Sequence, residues 1–152
     1  MSLILDGTAG VTGPATKVIV GTTTNDDAAA GYVGEYISSS VTSATAGTTA
    51  TTLTSIPLTA GDWDITITVN SSGVPGTSTG FRIGLGIATA TFPSDLQESC
   101  FVYQDTVQSI MGGGIPNSRK SIASTTTYYL IAQSYTTANI YVQGRISARR
   151  RR

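Results

Sequence analysis

The chain contains no histidine, which removes the commonest general base, the usual activator of a serine or cysteine nucleophile and the commonest metal ligand. A single cysteine, Cys100, excludes an intrachain disulfide. Within Ser99–Tyr103 it reads as a small buried hydrophobe and not as a reactive thiol. Zinc would have to be held by that thiol and carboxylates alone, which is not an ordinary zinc ligand set. Charge is scarce as well, at 12% of residues against about 25% in ordinary soluble domains. No apolar run approaches the roughly 18 residues needed to span a bilayer. Met1–Asp6 lacks the basic flank and apolar length of a secretion signal, so the protein is expected to stay in the cytosol that makes it or to leave by lysis.

What fills the chain instead is hydroxyl: 26 Thr and 17 Ser among 152 residues. Threonine is β-branched and suits a pleated surface, while the Lys-, Glu- and Ala-rich faces of soluble helices are largely missing. The length fits one domain with a core, plus terminal extensions. The formal charge of zero hides an asymmetry, because four of the nine basic residues are Arg149, Arg150, Arg151 and Arg152. Up to Ala148 the chain holds five basic against nine acidic residues, a net of −4. A mildly acidic body argues against a nucleic-acid face, which would show a basic patch or stripe.

From Asp62 to Asn70 polar and apolar residues alternate without a break, placing Trp63, Ile65, Ile67 and Val69 on one face of a strand and Asp62, Asp64, Thr66 and Thr68 on the other. Phe81, Ile83, Leu85 and Ile87 repeat the pattern, as do Ile140, Val142 and Ile146. These rows are the expected core. Strands are expected at Tyr32–Val41, Thr51–Pro57, Asp62–Asn70, Gly80–Ala90, Cys100–Ile110, Arg119–Ser124, Thr127–Tyr135 and Asn139–Ser147. Eight strands separated by Gly, Pro and Ser clusters predict an all-β, antiparallel β-sandwich, and among sandwiches a jelly roll. The expected organisation is an extended N-terminal arm and linker over residues 1–30, a sandwich domain over 31–148 and a basic tail over 149–152. In the arm Leu3, Ile4, Leu5, Val18, Ile19 and Val20 supply the apolar contacts to whatever it docks on.

The candidate chemistries are thin. Ile110–Asn117 carries three consecutive glycines, but no helix N-terminus and no Lys-Ser or Lys-Thr pair follows at phosphate-loop spacing, so a flexible β-loop is expected. Asp62 with Asp64, or Asp95 with Glu98, are the carboxylate pairs an enzyme would use. Asp62 with Asp64, or Asn25 with Asp26 and Asp27, are what a hard cation would use; solvated strand starts and turns are the plainer reading of both sets. No catalytic, cofactor or metal residue is therefore assigned. Tyr128 and Tyr129 lie on opposite faces of their strand, and Tyr141 points away from Ile140 and Val142. Outward rings such as Tyr129, Tyr135 and Tyr141 suit subunit contact or sugar stacking. A hydroxyl-rich surface with little charge is poorly protected against edge pairing, which points to coverage by other subunits. Arg149, Arg150, Arg151 and Arg152 read as a solvated end or as a segment docked on an acidic partner, with a nucleic-acid hook ranked third.

Met1-Ser2-Leu3-Ile4-Leu5-Asp6-Gly7-Thr8 resembles the opening shared by many tailed-bacteriophage fibre and appendage proteins. Ala30-Gly31-Tyr32-Val33-Gly34-Glu35-Tyr36-Ile37-Ser38-Ser39 and Leu58-Thr59-Ala60-Gly61-Asp62-Trp63-Asp64-Ile65 resemble a β-domain found in phage virion proteins. The resemblance implies a non-enzymatic virion component, homotrimeric, attached through its arm to major capsid, neck or tail proteins, with no membrane partner. At this length there is no room for a fibre shaft, so a head or neck decoration, or the base of a short fibre, is implied. A receptor- or carbohydrate-binding module of a phage appendage is the alternative.

Overall fold

The computed structural model describes residues 4–6, 10–12, 27–72, 80–95, 98–103, 110–135 and 140–151. Two short strands, β1 Ile4–Asp6 and β2 Gly10–Thr12, pair antiparallel. Ile4 and Leu5 of the expected arm contacts lie on β1, whereas Leu3, Val18, Ile19 and Val20 fall outside the described residues. The domain is built from β3 Tyr36–Ala46, β4 Thr51–Leu58, β5 Gly61–Ser72, β6 Gly80–Gly86, β7 Ser99–Tyr103, β8 Ile110–Ile122, β9 Thr126–Ser134 and β10 Ile140–Arg150. These eight form two antiparallel sheets, ordered β3-β10-β5-β8 and β4-β9-β6-β7, packed face to face as a sandwich. The pairing is nested: β6 lies beside β7, β5 beside β8, β4 beside β9 and β3 beside β10, with successive pairs alternating between the sheets.

Period-2 alternation decides which side chains fill the space between the layers. Trp63, Ile65, Ile67 and Val69 from β5, Phe81, Ile83 and Leu85 from β6, and Ile140, Val142, Ile146 and Ala148 from β10 are all buried in one cluster with Ile56, Leu58 and Leu130. Each large aliphatic or aromatic side chain removed from water there contributes about 1.5–3 kcal/mol. On β9 the inward row is Tyr128, Leu130 and Ala132, so Tyr129 faces out.

Three expectations about the strands are corrected. Ile87 is 69% exposed and not core, because β6 stops at Gly86 and the chain turns away. Tyr32–Glu35 forms a turn before β3 and not its first residues, closed by the Glu35 N–H donating to the Tyr32 carbonyl at 3.0 Å. The glycine run, expected as a loop, is inside β8, where Gly112, Gly113 and Gly114 pair with Asn70, Val69 and Thr68. A Cβ on Gly113 would sit 2.6 Å from Val102 Cγ2 in the opposite sheet, closer than real carbon contacts allow. Gly113 thus records a close approach of the two layers, while Gly112 and Gly114 lie against β5 of their own sheet.

The connection from β6 to β7 doubles back over the outside of the second sheet. Its Ala90 N–H donates to Thr52 Oγ1 of β4 at 2.8 Å. Phe92 lies over Gly84, whose Cβ would meet the ring at 2.6 Å, and a Cβ on Gly86 would meet Ile131 Cδ1 at 2.8 Å and the Thr91 carbonyl at 2.9 Å. Ile131, on the outward row of β9, is fully buried although it faces away from the inter-sheet core. Gly86→Val is expected to destabilise the domain by about 1–3 kcal/mol by overpacking this contact. A urea titration checks it, and an unchanged midpoint would mean the flap can lift freely.

Candidate functional site

The expectation that Arg149–Arg152 is a solvated or partner-docked tail is corrected for Arg150. Alternation along β10 continues past Ala148, so Arg149 faces out and Arg150 falls on the inward row with Ile146 and Ala148. It is 5% exposed at the end of the sandwich. Its Nε donates to Glu35 Oε2 at 2.8 Å, its Nη1 to the Ala60 carbonyl at 2.7 Å, its Nη2 to Thr59 Oγ1, and its guanidinium lies 4.3 Å from the Trp63 ring centre. Burial raises the Glu35 carboxyl pKa, but the Gly31 N–H and the Arg150 guanidinium together outweigh it and hold the group below the ordinary glutamate value. Arg151 pairs with Asp64, and Arg152 lies outside the described residues. Arg150 therefore works as an internal clasp.

The acidic candidates are engaged in the same way. Asp62 accepts from Arg119 at 3.2 Å and Asp64 from Arg151, so neither strand carboxylate is an unclaimed ligand. Among the described residues no group of three or more acidic, His or Cys side chains could hold a metal; Asn25 and Asp26 lie outside them. Glu98, just before β7, pairs with Lys120 of β8, joining the edge of one sheet to the edge of the other. Two shallow clefts flank that pair, one of about 370 Å³ beside Phe92, Pro93 and Tyr128 and one of about 410 Å³ beside Pro116 and Asn117. Asp95 borders both. Cys100 packs against the core from β7, as a small hydrophobe does.

The tyrosines expected at a contact surface do not come together. Tyr141 is 57% exposed on the outside of the first sheet. Tyr129 and Tyr135 belong to the outer side of the second, Tyr129 half-buried and Tyr135 42% exposed at the end of β9. What gathers around Tyr135 is a group with no counterpart in the sequence expectations. Phe101 of β7 stacks on it with ring centres 5.8 Å apart and planes at 29°. Arg82 of β6, register partner of Phe101 and Gln133, extends its guanidinium between two rings, 4.1 Å from the centre of Phe92 and 5.0 Å from that of Phe101. Its Nη2 donates to Ser99 Oγ at 3.2 Å. The outward glycines Gly84 and Gly86 were the one sequence signal for this face, since they mark where a loop must lie directly on the strand. No protein-family model, curated protein or solved structure matches the chain.

Proposed function

We propose that the protein is a non-enzymatic bacteriophage virion component, a capsid decoration or cement subunit or part of a short head or tail fibre, acting through subunit contacts. The observation that carries this reading is the outer side of the first sheet. Across Tyr36–Ala46, Thr66–Asn70, Gly112–Ser118 and Tyr141–Ser147, Arg145 is the single charged residue, and the outward residues there are mainly Ser, Thr, Asn, Gln and Gly with Tyr36, Pro116 and the exposed Tyr141. The other charges on the outward rows of these strands, Asp62, Asp64, Arg119 and Arg149, are gathered at one end of the sheet. At its border β3 is an edge strand of eleven residues with neither charge nor proline, the devices that keep edges of monomers from pairing. Such a surface suits burial against other subunits better than permanent contact with water.

The finer reading of the sandwich as a jelly roll is supported by its nested strand order, in which four strand pairs alternate between two sheets. The partners in this reading are copies of the same chain, in a homotrimer, and major capsid, neck or tail proteins of a particle assembled in the host cytoplasm. Interfaces of obligate type bury upward of about 2,000 Å², which a chain of this size supplies only if arm and sandwich both take part. A variant lacking residues 1–24 is expected to fold, by circular dichroism, and to be absent from purified particles. Its incorporation at the level of the full chain would refute the attachment role.

A further inference from the structure

We propose that the outer side of the second sheet is a binding site for a carboxylated sugar, with Arg82 pairing the carboxylate and Tyr135, backed by Phe101, stacking on the ring. Among the described residues, Arg119, Lys120, Arg150 and Arg151 each have a carboxylate partner; Arg82, Arg145 and Arg149 have none, and of these three Arg82 alone has a buried nitrogen without an acceptor. Its Nε is sealed from solvent with no acceptor among the described residues. Phe92 and Phe101 both lie against the guanidinium and Ser99 Oγ accepts from Nη2. The donors left over belong to the Nη1/Nη2 end, a fork that matches the two oxygens of one carboxylate. Beside it Phe101 touches both the guanidinium and Tyr135, and Tyr135, 42% exposed, is the ring left for a ligand with Phe101 behind it. Exposed rings take the C–H face of a pyranose, and the Tyr135 hydroxyl is a polar handle at the rim. Nucleic acid would also stack, but it needs a basic stripe, and here one cation sits on a body that carries net negative charge up to Ala148. One cation beside two rings matches one acidic monosaccharide. This site goes beyond the assembly role and does not depend on it.

The test is an NMR titration of the full chain, following the Arg82 Nε–Hε signal and the Phe101 and Tyr135 amides. The probes are tetrasaccharides of hyaluronan, polygalacturonate and alginate, together with 3′-sialyllactose, each beside its carboxyl-reduced form, and a tetraglutamate peptide. At least one carboxylated sugar is expected to shift those signals, with its reduced form binding at least about tenfold more weakly. Arg82→Gln should bring the acidic sugar down to the level of the reduced one. Phe101→Ala, a change at an exposed ring, should weaken both forms. Silence across the panel, equal binding of acidic and reduced sugars, or tetraglutamate binding as tightly as the best sugar would each overturn the proposal. Arg82→Gln keeps residues 1–24, so it should still enter particles, and either result can fail without the other.

Discussion

Arg150→Ala is expected to destabilise the domain by about 3–5 kcal/mol, the range for breaking a buried ion pair from one side. The loss should be read as a fall in the urea midpoint at unchanged slope. Glu35 is 7% exposed and would keep only the Gly31 N–H at 2.8 Å, leaving a carboxylate out of water without its cation. The Ala60 carbonyl would lose its donor as well. The pH response supplies an independent check. In the native chain Glu35 titrates below its ordinary value, so its contribution is present above the unfolded pKa of about 4.3 and is lost as pH falls through the folded value. Removing the Arg150 guanidinium takes away part of what holds that value down, so the folded pKa should rise. The variant should therefore lose less stability than the native chain as pH falls through the unfolded value. Replacing both partners, as Glu35→Leu with Arg150→Met, should recover most of the loss, because apolar packing often substitutes for a buried pair. A loss under about 1 kcal/mol for Arg150→Ala would mean that the pair behaves as a surface one.

Trp63→Ala is expected to cost a further 3–5 kcal/mol or so in its own right, as large-to-small changes in packed cores do. Trp63 is fully buried at the head of the inward row of β5 and donates its indole N–H to the Thr59 carbonyl at 2.9 Å. Trp63→Phe keeps much of the ring and loses that bond, so a cost of about 1–2 kcal/mol is expected. Because the Arg150 guanidinium lies on the indole, the two substitutions should not add. A double-mutant cycle is expected to return a coupling of about 0.5–3 kcal/mol. Trp63 is the sole tryptophan of the chain, so its variants must be followed by far-ultraviolet circular dichroism, whereas Arg150→Ala can also be followed by indole fluorescence. Full additivity would remove the clasp as a unit of the structure.

The layers of this fold were legible in the alternating rows of β5, β6 and β10, because one side of each strand is apolar and the other hydroxylated. Where one residue type serves two physical ends, reading stopped. Glycines 112–114 signal a loop by composition and sit in a strand because the opposite sheet comes within van der Waals reach of Gly113. Ile87 keeps the apolar period of β6 but lies beyond its last ladder pair, at Gly86. Arg150 keeps the inward phase of β10, yet a run of four arginines conceals that phase. The Arg82 group was illegible for a different reason, since it joins β6, β7, the end of β9 and a loop that turns back by a path no local periodicity records.

The place of β10 has a consequence for the nascent chain. It lies between β3 and β5 in the first sheet, so nothing joins those two strands until β10 has left the ribosome. Until then β3 has no neighbour in its sheet and β5 is paired on one side only, with β8, and a product interrupted before Ile140 cannot close that sheet at all.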